Sequence, residues 1–293
     1  MKTVVILGAG QFGRAVSRLI NTEHLTLIAF GDNNSALHHM SETEKCNMGF
    51  PARVPVLPVD QAVFMAPDCI LTGVTDDSRT GQFIEQARSL GFTGDFIRLG
   101  ELYRHFDIRS ATLKQMAVRL HEQGIRGQIA ELGVYRGDMA WKLNALFPDR
   151  RLYLFDTFEG FDLRDIQKEE EYGCSRARKG DFSDTSEQAV LNRLPFPDKA
   201  VVCKGYFPGT ASGLEQETYA LVSLDADLYA PLLAGLEYFY PRLSPGGMIL
   251  MHDYHNERFR GARQAVEDYE RRYQRLVLVP LCDLHGSAVI VKP

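Results

Sequence analysis

The chain has 293 residues, is 45% hydrophobic and carries a formal charge of -5, which allows two domains with cores of their own. That acidic balance argues against a general affinity for nucleic acid. No apolar run reaches membrane-spanning length, and the opening MKTVVILGAGQFG breaks into glycines too early for a secretion signal.

In chain order, the first element is an apolar β-branched run, TVVIL, followed by Gly8, Gly10 and Gly13 and then a helix with Val16, Leu19 and Ile20 on one face. This GxGxxG in a strand–turn–helix setting is the pattern that brings backbone close to a phosphate or a dinucleotide. A second strand, LTLIAF, ends at Asp32, about where a ribose-binding acid falls in dinucleotide folds, roughly 20 residues on. VPVLPVD, DCILTGV, a helix around residues 80–90 and GDFIRL continue the alternation, so residues 1–100 read as a small parallel α/β domain. The glycines also serve tight packing without a ligand, and no second half follows to hold a nicotinamide. Binding of NAD(P) or a nucleotide sugar there is therefore the alternative function, with the rest of the chain inactive or working without metal.

Residues 101–126 read as a helical connector, capped by Ser110 or Thr112, with Leu113, Met116, Ala117 and Leu120 on one face and Gly124 as its stop. A second glycine-rich start follows. GQIAELGVYRGDMAWKLNALF has a strand ending at Glu131, a turn with Gly133 and Gly137, and an amphipathic helix on which the single Trp141 reads as core. The looser E-x-G-x-x-x-G lacks the pyrophosphate pattern. The next strand, RLYLFD, ends at Asp156, an acid placed to accept from both ribose hydroxyls. A nucleoside without a diphosphate fits both features, and S-adenosylmethionine (SAM) is one, with Glu131 near its amino-acid end.

The charged stretch LRDIQKEEEYGCSRARKGDFSDTS reads as a polar loop or lid. AVVCKG, YALVSLDADLY and GGMILMHDY are strands, and in a doubly wound sheet their carboxyl ends face the ligand. Asp225, Asp227, His252 and Asp253 then share one edge. Uncompensated acids would repel there, so one of Asp225 and Asp227 is expected to hold a divalent ion such as magnesium, manganese or another first-row metal while the other reaches substrate, with His252 and Asp253 closing the constellation. A last helix, GARQAVEDYERRY, and two strands around His285-Gly286 close the sheet. The fold class expected is α/β with two Rossmann-like domains, the small N-terminal one and, over 127–293, a SAM-methyltransferase fold with a seven-stranded mixed sheet.

AELGVYRGDMA, YLFDTFEGF, GDFSDTS, KGYFPGT, the run from SLDADLY to MHDY, and GARQAVEDY together resemble the macrocin O-methyltransferase (TylF-like) family over about residues 127–293. The resemblance implies SAM-dependent, generally metal-assisted methylation of a sugar hydroxyl in a glycosylated metabolite. It implies that Glu131, Gly133 and Gly137 line SAM, with Asp156 on its ribose, Thr157 next to it, and Asp181 and Phe182 at its adenine. Asp225 would be a metal ligand and Asp227 the general base. The family's best-described members carry two aspartates where this chain has His252-Asp253. An imidazole can take a carboxylate's place on the metal, or the metal is lost and His252 becomes the base. The partner expected is a small-molecule or glycan hydroxyl, with no nucleic acid and no membrane span. The extra domain offers surface for a homo-oligomer. Five scattered cysteines without CxxC spacing fit reduced thiols in the cytoplasm.

Overall fold

The computed structural model describes residues 1–175 and 177–293. The chain divides into two compact units, Met1–Asp107 and Ile108–Pro293.

The first unit runs β1 (Lys2–Leu7), α1 (Gln11–Ser17), β2 (Leu25–Gly31), α2 (Glu42–Asn47), β3 (Val56–Leu57), α3 (Val59–Phe64), β4 (Cys69–Thr72), α4 (Asp77–Ser89), β5 (Asp95–Arg98) and α5 (Leu99–His105). Its five strands are parallel in the order β3-β2-β1-β4-β5. Val4, Val5, Ile6 and Leu7 are fully buried, as a central parallel strand covered on both faces must be.

The second unit runs α6 (Ile108–Glu122), β6 (Gln128–Leu132), α7 (Asp138–Leu146), β7 (Leu152–Asp156), α8 (Leu163–Tyr172), α9 (Glu187–Leu191), β8 (Ala200–Lys204), β9 (Tyr219–Leu224), α10 (Tyr229–Arg242), β10 (Leu243–Met251), α11 (Gly261–Arg272), β11 (Val277–Pro280) and β12 (Ala288–Val291). The strand order is β11-β12-β10-β9-β6-β7-β8, parallel from β10 to β8 and closed by antiparallel β12 and β11. The two faces follow from the period of a strand. Ala130, Val222 and Ile249 pack with Leu232, Leu236, Phe239 and Val266 of α10 and α11. Ile129, Leu221 and Leu250 pack on the other side with Leu113, Leu120 and Leu143 of α6 and α7.

Three local expectations are corrected. Thr112 lies inside α6, where its hydroxyl donates to the Ile108 carbonyl, so it caps nothing. Trp141 is 46% exposed on α7 and is not core. The first ten residues of the charged stretch form α8, held down by buried Asp165, Ile166 and Glu169, while the described residues from 173 to 186 are irregular; Arg176, in the same stretch, lies outside the described residues.

Candidate active site

Register builds the site. Leu132, the last residue of β6, pairs with Phe155 on one side and Leu224 on the other, and Leu224 pairs with Met251. Each strand therefore releases its next residue at one level: Gly133, Asp156, Asp225 and His252. The ladder runs one step further, with the Asp225 N–H donating to the Leu132 carbonyl and the His252 N–H to that of Leu224, both at 2.9 Å. Tyr135, Phe158, Phe182, Asp227 and Asp253 all have left-handed backbone in the loops beyond these strand ends. Such conformations cost roughly 1–2 kcal/mol each and collect where the surrounding structure imposes a functional geometry.

The acids meet. Asp225, His252 and Asp253 bring one donor atom each to within 4.8 Å of one another. His252 Nδ1 lies 2.9 Å from Asp225 Oδ1 and 3.0 Å from Asp253 Oδ2, buried and without a directed hydrogen bond to either. Burial disfavours the charged imidazole, but Asp225 and Asp253 outweigh it and push its pKa up to about 10. Burial likewise works against the Asp225 carboxylate, and His252 and Arg109 overcome it, holding the group well below the usual carboxylate range. Asp227 goes the other way. Burial, and then the charges of Asp225 and Asp253, raise it well above its ordinary value.

A divalent ion fits this donor set in kind and in convergence. Two carboxylates and an imidazole suit a first-row ion, and a buried nitrogen with no directed hydrogen bond is what a ligand atom awaiting its ion presents. Binding would have to release the His252 proton.

The glycine loop lies beside the acids. A Cβ on Gly133, at φ +88°, would stand 2.1 Å from the Asp225 carbonyl oxygen, so a side chain there would force the loop and the acid turn apart. Gly137, also left-handed, starts α7 against Val190. Glu131 is 1% exposed and its Oε2 has no partner. Burial first, and then the Asp225 charge, raise its pKa well above the usual value. A buried acceptor of this kind suits a ligand that brings a donor or a positive charge.

Asp156 uses both oxygens on backbone. Oδ2 accepts from Val134 and Tyr135 N–H at 2.7 and 2.9 Å, and Oδ1 from Phe158 N–H at 2.7 Å. Thr157 Oγ1 donates to the Gly160 carbonyl. These two residues shape the loops that a nucleoside would touch. Phe182 packs edge-on to Tyr135 of the glycine loop, ring centroids 5.1 Å apart, and the Asp181 carbonyl closes on Gly160. The segment holding Asp181 and Phe182 thus reaches the loop.

In the first unit, Asp32 Oδ2 accepts from Ala9 N–H at 2.6 Å and Oδ1 from Asn34 N–H at 2.8 Å. Gly8 and Gly13 are packed against each other: a Cβ on Gly13 would lie 1.9 Å from the Gly8 carbonyl oxygen, whereas one on Gly10 meets nothing within 4 Å.

Sequence reasoning missed three groups. Arg109 of α6 donates to Asp225 Oδ2 at 2.9 Å. The ring of His285, read as a turn residue, lies 5.1 Å from that of His252. Glu169 of α8, 1% exposed, accepts from the Tyr229 N–H at 2.6 Å, two residues past Asp227. All three act across long sequence separations.

A seven-stranded sheet in this order, with a glycine loop after one central strand and acids after the next two, defines the SAM-dependent methyltransferase fold. Residues 107–292 match the macrocin-O-methyltransferase (TylF) family, and the chain belongs to that family. It is 29% identical over 57% of its length to the 8-demethyl-8-(2,3-dimethoxy-alpha-L-rhamnosyl)-tetracenomycin-C 4'-O-methyltransferase of Streptomyces olivaceus, covering 66% of that protein. It is 26% identical over 51% of its length to the mycinamicin III 3''-O-methyltransferase of Micromonospora griseorubida, covering 63% of it. The chain thus spans just under two thirds of the curated relatives it matches. Among solved structures, the O-methyltransferase NovP superposes with a TM-score of 0.52 at 19% identity, over 63% of this chain and 79% of NovP. The calicheamicin methyltransferase CalS11 gives 0.50 at 19%, over 89% of this chain and 97% of CalS11; both likenesses concern the fold.

Proposed function

We propose that this protein is a SAM-dependent O-methyltransferase acting on a sugar hydroxyl of a glycosylated metabolite or glycan, with the chemistry in the unit Ile108–Pro293. The observation that carries the reading is the alignment of Gly133, Asp225 and His252 at adjacent strand ends, with Glu131 buried at the end of β6 and its Oε2 without a partner. Family membership supports methyl transfer, and the rhamnosyl group in one relative's name supports a sugar acceptor.

SAM would supply an electrophilic methyl group. Glu131 would take its amino-acid end, Gly133 and Gly137 would let backbone approach it, and the segment carrying Asp181 and Phe182 would close over its base. In-line displacement needs the acceptor oxygen aligned and stripped of its proton. Asp227 would take that proton: raised by burial, it is a stronger base, once ionised, than an exposed carboxylate. Asp225, His252 and Asp253 would hold a divalent ion, Mg2+, Mn2+ or another first-row metal, which would make the hydroxyl easier to ionise. A cytoplasmic setting fits free Cys46, Cys69, Cys174, Cys203 and Cys282. No described helix is long and apolar enough to cross a membrane.

The test is calorimetric titration of chelator-treated protein with SAM, before and after magnesium, followed by mass spectrometry of sugar acceptors incubated with both. Micromolar SAM binding and acceptors heavier by one methylene support the reading. Absence of SAM binding under both conditions overturns it.

A further inference from the structure

The carboxylate proposed as a metal ligand is already held by a permanent cation. Asp225 is flanked on Oδ1 by His252 Nδ1 and on Oδ2 by Arg109, each at 2.9 Å. The Arg109 and Asp225 side chains are only 17% and 20% exposed, so water screens the pair poorly. A guanidinium keeps its charge at every pH the protein will meet. A dication bound at Asp225, His252 and Asp253 must therefore displace Arg109 or sit close to a like charge.

We propose that Arg109 and the divalent ion compete for Asp225. Arg109 is the resident counter-ion that holds the acid turn together when the site is metal-free, and it makes metal affinity weaker than the three ligands alone would give. The inference rests on the proposed ligand set. It differs in sign from the other role open to such a residue. A group that orients a ligand from behind strengthens a metal site, by about 10- to 100-fold, whereas a competing cation weakens it.

The experiment compares the full-length wild type with Arg109→Met and Arg109→Lys, each stripped with chelator and titrated calorimetrically with MnCl2. Cobalt chloride is the parallel probe, read by its visible absorption. Methionine keeps the length and removes the charge; lysine keeps the charge and loses the fork. Competition predicts that Arg109→Met binds Mn2+ at least about tenfold more tightly than wild type, while Arg109→Lys stays within about threefold of wild type. Equal or weaker binding by Arg109→Met overturns the proposal. No binding by either wild type or Arg109→Met removes the ligand set itself, and the proposal with it. Adding Asp225→Ala to Arg109→Met must abolish the gain; a gain that survives places the ion elsewhere and overturns the proposal. Thermal melting and SAM titration of each variant show that it is folded.

Discussion

At the scale of single residues, the two carboxylates of the turn after β9 behave oppositely. Asp227 has left-handed backbone and a carboxyl raised by burial and by two neighbouring acids, while Asp225 is held ionised between His252 and Arg109. Two aspartates separated by one alanine therefore have opposite proton affinities, the arrangement that divides labour between a proton acceptor and a charge holder. Asp227→Asn keeps size and hydrogen bonding but removes the base. Turnover should fall by about 10²–10⁴-fold, with the SAM dissociation constant unchanged in calorimetry. A variant that turns over like wild type would exclude Asp227 as the base. Glu131 makes the complementary prediction. Its partnerless Oε2 should find a donor on SAM, so Glu131→Ala should weaken SAM binding by about tenfold or more, the worth of one hydrogen bond to a charged group. Unchanged affinity in the same titration would take Glu131 out of the cofactor site.

At the scale of elements, a buried acid ties α8 to α10, beside the rings of Tyr172 and Tyr229, whose centroids lie 5.1 Å apart. Glu169 accepts from the first N–H of α10 at 2.6 Å, doing from another helix what an N-cap side chain does locally. The cap lies two residues past Asp227, so it also holds the turn that carries this proposed base. Gly261 of α11 comes so close that a Cβ there would sit 2.8 Å from Glu169 Oε1, which closes the pocket around the acid. Glu169→Leu leaves the N–H unpaired and should cost about 1–3 kcal/mol, read as a shift of the urea midpoint. Its kcat should fall more than its KM for SAM rises. Glu169→Gln keeps an acceptor and should recover most of both. If the leucine variant loses stability with kcat intact, Glu169 supports the helix without positioning the base.

The same elements show what sequence could and could not carry. Buried parallel strands read as continuous apolar runs, so YALVSL and VVILG were plain, and acids at their ends marked the site. α8 was hidden because two of its three buried residues, Asp165 and Glu169, are acids. No apolar stripe announced it; Asp165 is satisfied by the Tyr206 hydroxyl at 2.8 Å, a partner 41 residues away. Arg109 meets Asp225 across 116 residues. Such pairings depend on how helices dock and leave no local periodicity.

At the scale of the whole molecule, the family match starts at residue 107, where the second compact unit begins at Ile108, and every residue from Arg109 to Asp253 invoked for methyl transfer belongs to that unit. The first unit carries the better-known glycine motif, yet its glycines do unequal work. Gly8, Gly13 and Gly73 meet backbone to backbone: a Cβ on Gly73 would stand 2.6 Å from the Gly8 carbonyl oxygen and 2.8 Å from Gly13 Cα. Gly10 has neither a close neighbour nor a left-handed backbone, so packing does not require glycine there. It is the position where a bound dinucleotide or nucleotide sugar would be felt. Gly13→Ala should therefore destabilise the first unit by about 1–3 kcal/mol or more, the cost of overpacking a tight contact, while Gly10→Ala should cost under about 1 kcal/mol. Urea unfolding followed by amide hydrogen exchange within residues 1–107 separates the two. Both variants should bind SAM with wild-type affinity, because no proposed SAM contact lies in that unit. Loss of SAM affinity in Gly10→Ala, with its stability intact, would show that the first unit serves the methyl-transfer site directly.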